Sequence, residues 1–340
     1  MIQSARPARQ PARLPWSQEW LVHERAVALG NAIDKSTSLT YSSALNSYLA
    51  FVHMHELPIE PSEDTLSFYV VYMSHHINPR SVNSYLSGIC QQLESMYPSV
   101  RLARKSPMVQ RTLKGCLRLK GSPTCRKRAL TLDDLGTVIS HYHNSLQHDD
   151  LLFVAMLLTG FFALMRLGEL TFSNDPALHD WRKVTRRSSV LMTDDRYEFF
   201  LPAHKADRFF EGNKIVVMAQ QFKHQPLLHF SNYIKSRDKM LPLASPLWLT
   251  AAGTVPTRAF FISRIRHFFD GKVAGLSMRA GGATMLAEHG VSPPVIQGMG
   301  RWSSEAFQIY VRKSPAMILG MLLANTSQSA NLRVHAPTPL

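Results

Sequence analysis

Gly275-Leu-Ser-Met-Arg279-Ala-Gly-Gly-Ala-Thr284 and, after a helical run, Gly300-Arg301-Trp302-Ser-Ser-Glu-Ala-Phe-Gln-Ile-Tyr310 form the stretch around which this chain is organised. An arginine stands beside paired glycines, an Arg-Trp pair follows a second glycine, and a tyrosine sits in a short amphipathic segment. Arginine presents a planar fork of donors that fits phosphate, and tyrosine can serve as a covalent nucleophile. The residue types point to a phosphoryl-transfer site built on two arginines and a tyrosine. Each also has a plainer reading. Tyr310 shares a helix face with Phe307 and Val311, Trp302 can be packing, and Arg279 can anchor a helix start. The rest of the chain must supply a grip on a polyanion and further catalytic groups.

The 340 residues predict about two domains. Hydrophobic content of 45% supports packed cores, and charged content of 18% excludes a disordered polyion. A formal charge of +14 points towards a polyanionic partner. Three cysteines, Cys90, Cys116 and Cys125, offer neither a disulfide framework nor a paired metal motif, and fit a reducing interior. The first residues carry Arg6, Arg9 and Arg13 among prolines and lack the apolar region of a secretory signal. The longest apolar run, Leu151 to Met165, is shorter than the ~20 residues a membrane span needs and leads into Arg166, so it reads as a buried helix.

Residues 1–35 are expected to form a disordered basic arm, and 36–120 a compact helical domain. Tyr41, Leu45, Tyr48, Leu49 and Val52 follow helix spacing. Ser62 caps a helix with Glu63 and Asp64 in its first turn, and Asn78-Pro79 opens the next. Pro107 opens another, carrying Val109, Leu113 and Leu117. No acid lies between Glu94 and Asp133, whereas Arg104, Lys105, Arg111, Lys114, Arg118, Arg126, Lys127 and Arg128 fall there. The last of these lie in an expected linker, 121–130. Such a block reads either as a solvated face or as a basic strap on a duplex, whose binding would fall steeply with salt.

Thr131-Leu-Asp-Asp-Leu opens a second domain, 131–325, followed by a polar tail, 326–340. Arg166 ends the apolar helix and must be paired or face a cavity; Glu169 is its expected partner. Ser189 to Met192, Tyr197 to Leu201 and Lys214 to Met218 read as strands, with Lys205 near a hairpin tip. Leu227 to Ile234 and Arg258 to Phe269 read as helices, and Ala316 to Leu323 as a short apolar helix that packs in place or on another subunit. The fold class is therefore mainly α with a small β-sheet.

Four places in order now resemble the tyrosine recombinase/phage integrase family, most closely the branch carried by eukaryotic mobile elements such as Cryptons and DIRS-type elements. Leu164-Met-Arg166-Leu-Gly-Glu169-Leu is similar to the first arginine box. Leu201-Pro-Ala-His-Lys205-Ala-Asp207 is similar to the hairpin with the family lysine. Leu276-Ser-Met-Arg279-Ala-Gly-Gly-Ala-Thr is similar to the second box, and Gly300-Arg301-Trp302 with Tyr310 to the last. The helical region 36–120 resembles the family's SAM-like core-binding domain. The resemblance implies cleavage and rejoining of double-stranded DNA without metal or nucleotide, through a 3′-phosphotyrosyl link. By position, Tyr310 is the nucleophile, Arg166 and Arg279 clamp the phosphate, Lys205 is the general acid, and Glu169 positions Arg166. It also implies a homo-tetramer assembled on DNA through the C-terminal helix, and a nuclear location in a eukaryote, or cytoplasm and nucleoid otherwise.

Two positions depart from the pattern. The second box normally begins with histidine, and Leu276 can neither donate nor accept a proton. The usual His/Trp position is Arg301, a possible phosphate donor, with Trp302 adjacent. The alternative to a working recombinase is a domesticated DNA-binding protein that has kept the clamp and lost turnover. A topoisomerase-like nicking and closing activity is a third reading.

Overall fold

The computed structural model describes residues 13–123, 127–205, 207, 209–219 and 224–304. They fall into two compact units, one within 1–124 and one within 125–340.

The first unit contains α1 (Gln18–Gly30), α2 (Lys35–Met54), α3 (Glu63–His76), α4 (Pro79–Leu93), α5 (Val100–Lys105) and α6 (Pro107–Lys120). Local chemistry starts most of them. The Ser62 hydroxyl accepts the Thr65 N–H, the Asn78 side chain accepts the Arg80 N–H ahead of a first-turn proline, and Ser106 accepts the Val109 N–H before Pro107. The core gathers Tyr48, Phe51, Leu66, Tyr69, Val82, Leu86, Ile89, Val109 and Leu113. On α2 the buried face is Ala44, Tyr48, Phe51 and Val52. Tyr41, Leu45 and Leu49 are only half-buried, so the stripe is rotated from the expected one. The arm expected over 1–35 is corrected by α1. Ser17 caps this helix by accepting the Trp20 N–H, although none of its residues is buried. The short α5 was also unforeseen.

In the second unit α7 (Leu132–Tyr142), α8 (His148–Phe162) and α9 (Leu167–Leu170) precede three single-turn 3-10 segments and a sheet. Its antiparallel strands, β1 (Leu191–Met192), β2 (Arg196–Leu201) and β3 (Asn213–Met218), lie in sequence order. Then come α10 (Pro226–Met240), α11 (Arg258–Phe268), α12 (Gly275–Glu288) and α13 (Pro293–Gly300). The strand expected over Ser189–Met192 shrinks to β1, because 187–189 close a 3-10 turn whose C-cap is Val190.

The centre of this unit is α8. It is apolar all round and buried from Leu152 to Phe162, as a helix enclosed on every side must be. Each large side chain fully buried there contributes roughly 1.5–3 kcal/mol. It packs against α7, α10 and α12. The sheet buries Tyr197, Phe199, Leu201, Ile215 and Val217 against the same core. Tyr197 stacks flat on Phe230 at 3.9 Å, and its hydroxyl pairs with Thr159 at 2.8 Å.

The approach of α12 to α8 is set by the glycine pair after Arg279. A Cβ on Gly281 would overlap the Leu130 carbonyl, and one on Gly282 would overlap the Phe161 carbonyl at the end of α8. Gly282→Ala is expected to destabilise the second unit by about 1–3 kcal/mol, seen as a lower urea midpoint at unchanged m-value. A stabilised variant, the usual outcome for Gly→Ala on an open helix face, would mean that α12 stands off α8.

Candidate active site

Two helix ends place the site. Helix α8 closes with the Leu164 N–H on the Phe161 carbonyl at 3.3 Å and the Met165 N–H on the Gly160 carbonyl at 2.9 Å. Helix α13 closes the same way, with the Arg301 N–H on Gly298 at 3.0 Å and the Trp302 N–H on Gln297 at 3.2 Å. Both are Schellman motifs, which need a left-handed residue just past the helix. That residue is usually glycine, but here it is Leu164 (φ 51°) and Arg301 (φ 54°). A side chain in that region costs roughly 1–2 kcal/mol. Leu164 returns this by burying fully with Ala283, Ala287 and Ile296. The two turns meet where Arg301 Nη2 donates to the Leu164 carbonyl at 3.4 Å.

Arg166 follows the first turn and precedes α9, whose Glu169 reaches back to it. One carboxylate oxygen accepts the Arg166 backbone N–H at 3.0 Å, and the other accepts Nη1 at 2.9 Å. Arg301 Nη2 reaches the same carboxylate at 3.0 Å. Arg301 also donates through Nη1 to the Met299 carbonyl at 3.1 Å, and its Nε is buried without a hydrogen-bond partner among the described residues. Burial pushes the Arg301 guanidinium down from its ordinary value, and the charge of Arg166 adds to this, while Glu169 opposes both.

Arg279 is 2% exposed. It donates to the Gly300 carbonyl, and its guanidinium lies 3.9 Å from the centre of the Trp302 ring. The Trp302 ring also lies against Gly300, where a Cβ would overlap it. The turn at 300–302 therefore holds Arg279 and Arg301 together. Arg166, Glu169 and Arg301 by themselves carry a formal +1, with Arg279 the third guanidinium of the site. Of the three, Arg166 reaches solvent most, at 26% side-chain exposure against 7% for Arg301. Leu276, in the first turn of α12, is 56% exposed.

Lys205 lies exposed in the β2–β3 connection, with no hydrogen bond or ion pair to the arginine cluster among the described residues. Asp207 shapes that connection, accepting the N–H groups of Phe209 and Glu211 at 3.2 Å each and of Gly212 at 2.9 Å. Tyr310 and Arg126 lie outside the described residues. In the first unit, Arg111, Lys114 and Arg118 share an exposed face of α6, opposite Val109, Leu113 and Cys116. Lys105 is exposed, and Arg104 is tied to Asn83 at 3.2 Å.

The strap expected over 121–130 is corrected for its described second half. The Lys127 ammonium donates to the Gly271 carbonyl at 2.6 Å, and the Arg128 backbone N–H to Lys272 at 2.8 Å. The Arg128 guanidinium pairs with Asp134 and lies over Phe269. These cations are spent on the second unit itself. The reading of Arg301 as a phosphate donor also changes, because its fork is engaged with Glu169 and two carbonyls. Sequence reasoning missed this pairing, the Arg279–Trp302 stack and both left-handed turns. Only the glycine two residues before Trp302 hinted at any of them.

No protein-family model matches the chain, and no curated protein matches it by sequence. Solved structures do. The integrase of transposon Tn1549 in complex with circular intermediate DNA superposes with a TM-score of 0.55 at 14% identity, over 90% of this chain and 98% of that one. The XerH site-specific recombinase bound to palindromic difH substrate gives 0.53 at 15% identity, over 77% and 71%. A lambda integrase tetramer bound to a Holliday junction gives 0.50 at 14%, over 87% and 78%. The mostly helical chain with its three-stranded sheet therefore has the tyrosine recombinase/integrase fold.

The Asp207 carboxyl is held below its ordinary 3.8, chiefly by the Gly212 N–H, with the Glu211 and Phe209 N–H groups adding to it. A depressed folded value contributes order above the unfolded pKa and loses it as pH falls through the folded one. Asp207→Ala should therefore lower the amide protection factors at Glu211 and Gly212 at neutral pH to those that the unaltered chain shows only in acid. Unchanged protection would assign the loop's order to other contacts.

Proposed function

We propose that the chain is a DNA strand-breaking and rejoining recombinase of the tyrosine class. The observation that carries this is the convergence of Arg166, Glu169, Arg279, Arg301 and Trp302, from three separated segments, into one cationic site on the fold of known site-specific recombinases. The Tyr310 hydroxyl attacks a phosphodiester, forming a 3′-phosphotyrosyl bond and releasing a 5′-hydroxyl. Arg166 and Arg279 neutralise the non-bridging oxygens as charge builds in the transition state. Lys205 protonates the leaving 5′-oxygen. The covalent link conserves the bond energy, so a second 5′-hydroxyl can reverse the attack on another strand. The partner is double-stranded DNA, gripped in part by the Arg111, Lys114 and Arg118 face of α6. The working state is a homo-tetramer on two duplexes, joined through the apolar 316–323 segment, which lies outside the described residues. The motif forms suggest descent from eukaryotic mobile elements and a nuclear site of action.

A second reading, a domesticated DNA-binding protein, is favoured by Leu276. A proton-handling group at such a place is typically worth ~10²–10⁴-fold in rate, and an exposed leucine offers none.

A duplex nicked beside the cleavage point traps the covalent intermediate, which a denaturing gel resolves. An adduct that disappears in Tyr310→Phe is expected, and Leu276→His should raise its yield by about tenfold or more. No adduct on cognate DNA that is demonstrably bound leaves only the binding role.

A further inference from the structure

Glu169 is shared by two guanidiniums, and the sharing has an electrostatic consequence for the site. A carboxylate that holds Arg166 at the backbone and the side chain fixes its geometry, but a one-to-one ion pair is close to neutral. In a poorly screened setting that neutrality would cancel much of the field by which a clamp stabilises developing negative charge. Arg301 is the second cation on the same carboxylate. Together Arg166, Glu169 and Arg301 carry a net charge of +1, from two positive groups and one negative.

Arg301 is poorly placed to bind phosphate itself. Its side chain is 7% exposed. Its Nη atoms are directed to Glu169, Leu164 and Met299, and its backbone is fixed by the left-handed turn at the end of α13. A buried ion pair contributes little to stability compared with well-packed apolar residues, and this one also carries a buried Nε without a partner among the described residues. Stability alone gives weak grounds for a charge here, whereas the charge count of the site gives a direct one.

We propose that Arg301 is a positioning residue that neutralises Glu169, so that Arg166 stays locked in place yet keeps its positive charge for the scissile phosphate. This rests on the reading of Arg166 as the phosphate clamp and deepens it. Arg301 thus stands where the resemblance expects a histidine or tryptophan donor, but works one step behind Arg166. It makes charge balance, rather than donor geometry, the requirement at that position.

The claim is tested by charge bookkeeping across a double-mutant cycle in the full chain. Inorganic sulfate serves as the tetrahedral dianion probe, with binding followed by calorimetry. Arg301→Gln leaves the trio neutral and should weaken sulfate binding on the order of tenfold. Glu169→Gln in the same chain restores +1 and should return affinity to within about threefold of the unaltered protein. Arg301→Lys should keep it, and Arg166→Gln should weaken it in every background.

A packing role for Arg301 predicts the opposite for the double variant, which would then bind as weakly as Arg301→Gln. That outcome overturns the proposal, as does unchanged affinity in Arg301→Gln or sulfate binding that ignores Arg166. Should Arg301→Gln fail to fold, the double variant and Arg301→Lys carry the test, and loss of affinity in the double variant overturns it. The same variants run in the covalent-adduct assay keep the two ideas apart. The expected sulfate pattern without any adduct would sink the recombinase activity and leave the role of Arg301 standing.

Discussion

One carboxylate holds the candidate site together. The carboxylate of Glu169 binds the main chain of Arg166 and the side chains of both Arg166 and Arg301. Buried charges of like sign cannot gather without such a counter-ion, because desolvation and mutual repulsion act in the same direction. The surrounding structure brings the three segments within reach of it. The turn after α8 delivers Arg166, the turn after α13 delivers Arg301, and the glycine pair lets α12 pack closely on α8, with its Arg279 on Gly300 and Trp302. Strain at Leu164 and Arg301 accompanies that convergence, and such strain is commonly concentrated where geometry matters more than stability.

The two units divide the chemistry. The first carries a row of exposed cations on one face of α6 and no comparable buried cluster among the described residues. The second buries Arg279 and Arg301, which bond to the Gly300 carbonyl and to Glu169 respectively. Surface cations suit a salt-sensitive hold on a polyanion, whereas enclosed cations suit the recognition of one phosphate. Residues 127–130 belong with the second unit by their hydrogen bonds to Gly271, Lys272 and Ser277. The basic stretch between Glu94 and Asp133 is thus two features of different use.

Much of the fold was legible because its signals are local. Ser62, Asn78-Pro79 and Thr131 with Asp134 satisfy helix N–H groups within a few residues, and the apolar run ending at Arg166 is a core helix on hydropathy alone. The Arg166–Glu169 pair is equally local. The other half of the site is not. Arg301 and Glu169 are separated by 132 residues, and no pattern near either announces the other. Arg301 in a left-handed turn is likewise unreadable, since that position normally calls for glycine. Helix α1 lacks a buried face, so the apolar period that reveals other helices is missing. Motif order nominated the candidate residues, but only the packing of α12 and α13 about the end of α8 reveals which of them touch.

The central claim is that this site directs Tyr310 onto a DNA phosphate. Its most direct measurement is mass-spectrometric peptide mapping of the full chain after incubation with nicked duplexes from a randomised pool, which removes dependence on a known target. The account predicts a 3′-phosphonucleotide on the peptide that contains Tyr310 and on no other tyrosine. A nucleotide on a different residue, or none on chains recovered with bound duplex, would contradict it.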